Sequence, residues 1–455
     1  MRLLYKFRST KYLIEELTNN ELYFADLNEL NDPMETFKNI VWQGDEILWC
    51  NLFNHYLLCL DFIHAWHCFG NDEKLTLNDI PIFATVDNLP DELNKEMFKF
   101  TQKIFFENFE IRKIAKLLSK KRAAVQKEEL IYYLSEIHYL ALVAIRYTYK
   151  KYNVRPYAIT LKKANERKIQ QKLKKIIKDS NRKRLCEAQI KAFVITLSKE
   201  LAKKREIIQQ EMFLEYEVKY DDNQKFIYFD YPKCFIERLQ DLMYPKCYIS
   251  CFSNSYKNPV MWGHYSEGHK GACLIFKNKK SLSLRVMNGC DNNVSDWEDD
   301  NIQLFKINYN KELPPINFFT EIGQLSREAK IKYWKTFNNQ KSTFDIYNGM
   351  NSKEWRKRHW KLLYNTIVMK DKCWKYEHEY RLILLSIIHN KYQISNNRKI
   401  QFDTSELVGV ILGAKMKISD KLQIRKIINE KYNVDKEKVK IYEAYLENGK
   451  VKITS

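Results

Sequence analysis

Residues 250–276 read SCFSNSYKNPVMWGHYSEGHKGACLIF. An apolar strand ends in Ser253 and Asn254, and Asn258-Pro259 marks a turn, since proline keeps the residue before it out of the helical region. A short aromatic helix follows, then Gly271 and a second apolar strand. Strand, turn, helix and strand in this order frame one face of a pocket. Along that face Ser250, Ser253, Trp262, His264, Tyr265, His269 and Lys270 lie close together in sequence.

Outward from this block, the next concentration of reactive side chains is CWKYEHEYRLILL at 373–385. The spacing predicts that Glu377 and Glu379 alternate onto one side of a strand, with Arg381 sharing the face. A carboxylate at the mouth of a buried strand is costly unless it is paired or functional. At the N-terminus LLYKF suits a strand, with Ser9 and Thr10 as N-caps for the helix KYLIEELT. ELYFADLNELNDP is a short strand running into a turn at Asn31-Asp32-Pro33. Strand patterns return at CYISCFSNS (247–255), GACLIF (271–276), ELVGVILG (406–413) and VKIYEAYLE (439–447), with a helix at ISDKLQIRKIINEKY (418–432).

The middle of the chain has another texture. The stretch 45–68 is apolar all round and predicts a buried helix, and residues 91–244 are helical in pattern with hardly any Gly or Pro. The formal net charge is +20, and residues 101–210 hold 28 Lys/Arg against 10 Asp/Glu, a difference of +18. A basic region so confined suits a polyanionic partner such as RNA, DNA or an acidic protein, or a solvated helical face. Its most basic part, 161–184, carries Ile169, Leu173, Ile176 and Ile177 at helical spacing, an apolar face expected to dock on the rest of the insert.

At 455 residues two structural units are expected. The expected division is a discontinuous α+β core from 1–90 and 245–455, with an irregular insertion at 281–360, and a basic helical insertion at 91–244. Charges interrupt the N-terminal stretch, no run of about 18 apolar residues occurs, and the ten cysteines form no CxxC pair. These features predict a cytoplasmic protein that does not span a membrane. Cys50, His55, Cys59, His64, His67 and Cys68 fall in one stretch, but their apolar surroundings favour a core helix over zinc, and no metal is expected.

The motifs LLYKFRS, LNDPMET, SCFSNS, MWGHYSEGHKG and EHEYRLI, in this order, resemble the signature of a widespread bacterial domain family of unknown function. A more distant resemblance is to the ADP-ribosyltransferases, in which a first strand supplies His or Arg, a second element supplies Ser followed by an aromatic helix with Tyr, and a late strand begins with Glu. That resemblance implies a split β-sheet core built from both chain ends, with NAD as substrate. It implies Glu379 as the carboxylate facing the ribosyl cation, with Glu377 placing an acceptor. Arg8 would take the pyrophosphate or a ribose, Ser253 would orient the nicotinamide ribose, Tyr265 or Trp262 would stack on nicotinamide, and Ser250 and His264 would complete the cofactor-binding set. The chain departs from the pattern in having Lys6-Phe7-Arg8 where the polymerases have His-Gly, and no Ser-Thr-Ser.

Structural alternatives stand beside these roles. Arg8 could pair with a carboxylate, and Asn31, Asp32 and Glu35 could be turn chemistry. His264 and His269 could be structural histidines, and Glu379 with Arg381 a strand ion pair. The function expected is ADP-ribose transfer, or NAD hydrolysis, by a toxin or phage-defence effector acting on nucleic acid or an associated protein. The alternatives are a non-enzymatic nucleic-acid-binding or nucleotide-sensing protein and, third, a nuclease.

Overall fold

The computed structural model describes residues 3–32, 38–69, 73–154, 166–182, 189, 192–203, 206, 221–277, 280–287, 297–309, 314–386, 391–433 and 439–454. The chain forms two compact units. One comprises residues 1–38, 245–313 and 360–455, the other residues 39–244 and 314–359.

The first unit is a twelve-stranded sheet. Its strands are β1 (Leu3–Arg8), β2 (Glu21–Tyr23), β3 (Ala25–Asp26), β4 (Lys246–Ser253), β5 (Ala272–Lys277), β6 (Ser281–Met287), β7 (Trp297–Lys306), β8 (Glu379–Ser386), β9 (Lys399–Phe402), β10 (Leu407–Leu412), β11 (Lys440–Glu447) and β12 (Lys450–Thr454). The order is β12-β11-β10-β5-β1-β4-β8-β7-β6-β9-β2, with β3 on β4. All pairs are antiparallel except β10 with β11, which needs a crossover; the helix Ile418–Ile427 supplies it.

The central strands read as continuous apolar runs because both faces are covered. Leu4, Phe252, Leu274, Phe276, Leu382 and Val410 pack on one side with Leu13 and Leu17 of the helix Thr10–Asn19. Phe7, Cys273, Ile275 and Ile411 pack on the other with Met261 and Trp262 of the helix Pro259–Tyr265. Gly271 precedes β5 by one residue, and a Cβ there would lie 2.0 Å from the Arg8 carbonyl oxygen. Only glycine lets the chain pass so close to the end of β1.

The second unit is mainly helical. The helix Glu46–Cys68 is buried around most of its circumference, and Asp45 caps it by accepting from the Leu48 amide at 3.1 Å. His55 bonds the Ile82 carbonyl at 2.9 Å and Cys59 Sγ lies 3.5 Å from the Pro81 carbonyl, so these side chains serve the helical core. The basic helix Glu166–Arg182 buries Leu173 and Ile177 completely, packing on the helices Ile111–Ser119 and Lys127–Lys151.

The division differs from that expected from sequence. Residues 39–90 belong to the helical unit because the helix Glu46–Cys68 packs on its helices, and 314–359 join it through Ile316 and Asn317, which pair with Ile40 and Val41. Residues 281–313 belong to the sheet unit, where β6 and β7 form a regular hairpin ladder. Among the described residues no helix is long and apolar enough to cross a membrane.

Candidate functional site

β1 pairs with β5 along its whole length, from Leu3↔Lys277 to Arg8↔Ala272. With β4 on its other side it shares a single register pair, Tyr5↔Ser253. Beyond that pair the two strands separate, and β3 takes the edge of β4 at Ile249 and Tyr248. Ser250 and Cys251 are left facing a gap. Lys6 bridges it: its Nζ donates to Ser250 Oγ at 2.6 Å and to the Cys251 carbonyl at 3.4 Å, and lies 4.9 Å from the Phe252 ring centroid. The gap opens into a cleft of about 560 Å³.

On the far side of β4, β8 is fully registered from Glu379↔Ser253 to Ser386↔Lys246. The strand begins at Glu379, whereas Glu377 ends a 3₁₀ turn (Lys372–Glu377) and His378 between them has φ 47°. Strand alternation therefore does not align the two glutamates, as the sequence pattern suggested. Lys370 joins them instead, with Nζ 2.6 Å from Glu377 Oε2 and 3.2 Å from Glu379 Oε2. Tyr265 donates to Glu377 Oε1 at 2.6 Å. Arg381 grips Glu379 through Nε at 2.6 Å and Nη2 at 3.1 Å, and donates from Nη1 to the Ile367 carbonyl at 2.6 Å. Tyr309 Oη accepts from the Glu379 amide at 3.0 Å.

This chain of charges drives the two carboxyls apart. Burial pushes Glu379 upward, but the charge and hydrogen bonds of Arg381, aided by Lys370, outweigh it and hold the group at about 2. For Glu377 burial prevails over Lys370 and Tyr265, and its pKa is raised. Burial and then the Glu377 charge push the Tyr265 phenol up. On the opposite wall burial, then repulsion from Arg8, bring Lys6 down to about 7.

Of the residues singled out from the sequence, Arg8, Asn31, Ser250, Ser253, His264, Tyr265, Glu377 and Glu379 line this cleft. Arg8 also pairs with Glu16 at 2.7 Å, which is the structural alternative stated for it. Ser253 donates to the Glu377 carbonyl at 2.7 Å and accepts from the Ser255 amide, which pins the end of β4 to the turn before β8. Its hydroxyl proton is occupied there.

Trp262, His269, Lys270, Asp32 and Arg381 are not among the lining residues. Trp262 is fully buried, edge-on to Phe7, with its indole N–H donating to the Tyr256 carbonyl at 2.6 Å. It is core, whereas Tyr265 lines the cleft. His269 lies parallel to Trp262, and Lys270 is exposed, its carbonyl accepting from Thr10. Arg381 sits behind Glu379 and Asp32 is buried. Glu35 lies outside the described residues.

Sequence reasoning missed Lys6, Glu16, Tyr309 and Lys370. Lys6 had a legible sign, a cation between apolar neighbours inside a strand. Lys370 had none, since it stands outside every motif and reaches the glutamates only through the fold. Among the described residues no group of three or more His, Cys, Asp or Glu side chains is arranged to hold a metal ion.

Residues 261–382, which include Tyr265, Glu377, Glu379 and Arg381, match the model of a family described as protein of unknown function (DUF2971). No curated protein and no solved structure matches the chain.

Proposed function

We propose that the cleft binds NAD and that the sheet unit is an ADP-ribosyltransferase-like domain, passing ADP-ribose to an acceptor or to water. One observation carries the reading: Arg8, Ser253, Tyr265 and Glu379, from distant stretches of sequence, line a single cleft. Its volume, about 560 Å³, falls in the range of roughly 300–1,000 Å³ usual for small-molecule sites.

In the reaction the bond between ribose C1 and the nicotinamide nitrogen breaks, and its electron pair leaves with nicotinamide. The oxocarbenium-like carbon is then captured by a nucleophile whose proton must be removed. A carboxylate held ionised and one with a raised pKa divide this work. Glu379 faces the developing positive charge, Glu377 takes the acceptor proton, and Tyr265 holds Glu377 and offers its ring to nicotinamide. The acceptor proposed is nucleic acid or an associated protein, supported by the +18 balance of residues 101–210.

The test is incubation with NAD labelled separately in nicotinamide and adenylate. Release of nicotinamide is expected, falling about 10²–10³-fold in Glu379→Gln. Absence of release, or release indifferent to Glu379, removes the enzymatic reading.

A second reading, binding of a nucleotide without turnover, is favoured by the cations around Glu379. Arg381 and Lys370 already compensate its charge, which lessens what it can offer a ribosyl cation. Saturable NAD binding without nicotinamide release would select it.

A further inference from the structure

Three cations line the cleft: Lys6, Arg8 and Lys370. Arg8 is paired with Glu16, and Lys370 with Glu377 and Glu379. Lys6, only 3% exposed, has no carboxylate partner among the described residues. Its contacts are a hydroxyl, a carbonyl and an aromatic face. A charged ammonium so far removed from water is costly unless a counter-ion is supplied. The Ser250 hydroxyl beside it accepts from Lys6, which leaves its own proton to donate, and Ser250 lines the same cleft.

We propose that Lys6 and Ser250 form the binding point for a doubly charged tetrahedral oxyanion of the phosphate class, held where β1 and β4 part. Lysine serves such groups as a point charge, and the neighbouring hydroxyl adds a donor of defined direction. The sheet creates the point, because a backbone ladder continuing past Tyr5↔Ser253 would close the gap that Lys6 spans. The inference shares the cleft with the transferase reading but does not rest on NAD chemistry. It predicts only that a phosphate-bearing ligand places an anionic group here.

Protonation and binding are then linked. Free Lys6 titrates at about 7, so the form that attracts an anion prevails below that pH and is depleted above it. The other ionisable groups around it are Arg8 on its own strand, Glu16 from the helix Thr10–Asn19, Cys251 on β4, and the Lys370, Glu377 and Glu379 network on the opposite wall.

The experiment is calorimetric titration of the full chain with sodium sulfate, whose charge is constant between pH 6 and 8.5, with sodium acetate as the comparison. Saturable sulfate binding is expected at pH 6, weakening about thirtyfold by pH 8.5 as Lys6 loses its proton. Lys6→Met should abolish this binding, and Lys6→Arg should keep it while removing the pH dependence. Equal sulfate affinity in wild type and Lys6→Met, affinity unchanged between the two pH values, or acetate binding as tight as sulfate would each overturn the proposal. If Lys6→Met does not fold, the wild-type pH profile and Ser250→Ala, expected to weaken binding several-fold, decide. Sulfate binding in a protein that never releases nicotinamide would leave this inference standing while the transferase reading falls, and nicotinamide release without a Lys6-dependent sulfate site would do the reverse.

Discussion

At the scale of single residues the cleft is governed by which charges have partners. Lys370 satisfies two glutamates at once, and removing one member of a buried ion pair leaves an uncompensated charge that costs about 3–5 kcal/mol. Lys370→Met is therefore expected to lower the urea-unfolding free energy by about that much at pH 7, with partial recovery in Lys370→Met/Glu377→Gln; a change under about 1 kcal/mol would refute the network. Glu379 gives a prediction with a definite sign. Its folded value of about 2 lies below its ordinary value of 4.5, so its stabilisation is present above pH 4.5 and is lost as pH falls towards 2. Wild type should lose stability over that window more steeply than Glu379→Gln, and parallel acid-unfolding curves would contradict the ion pair. Lys6 shifts in the same direction, in a higher pH window. Its folded value lies below its unfolded one, so the unfolded chain binds more protons between pH 7 and 10.5, and stability should rise there in wild type relative to Lys6→Met.

At the scale of elements, the site depends on where two strands stop pairing and on how closely a third passes them. Gly271 sits against the Arg8 carbonyl, so it sets the position of the end of β1 and of Arg8 in the cleft. Gly271→Ala should cost about 1–3 kcal/mol through forced separation of backbones and weaken ligand binding in the cleft. Glycine at 268 has nothing near its Cβ position but carries φ +63°, so an alanine there meets strain without collision and should cost only about 1 kcal/mol. Comparing the two thermal midpoints separates the effects. His378, at φ 47°, lets Glu377 leave the strand direction and meet Tyr265, a turn that costs a residue with a side chain about 1–2 kcal/mol. Alternation counted along the sequence could not reveal this departure.

At the scale of the whole molecule the most concentrated positive charge, +18 over residues 101–210, belongs to the helical unit, and the proposed chemistry to the sheet unit. If residues 101–210 engage nucleic acid, log affinity should fall linearly with log salt, and Lys175→Glu with Lys178→Glu, both exposed, should lower the slope by roughly 2. Binding that ignores salt would leave the charge as a solvated face. Apart from the β6–β7 ladder, which it read as an irregular insertion, the sequence alone determined the strands β1, β4, β5, β8, β10 and β11, the buried helix beginning near Asp45 and the apolar docking face of the basic helix. All of these are written in local periodicity and turn chemistry, which neighbouring residues suffice to express. It did not determine that residues 39–90 pack with the helical unit, that Trp262 is core, or that Lys370 joins the two glutamates. Nor did it determine that Lys6 faces the cleft without a carboxylate partner among the described residues. Those depend on which distant segments meet, and a charge separated from its partner by hundreds of residues carries no mark of that partner until the sheet brings them together.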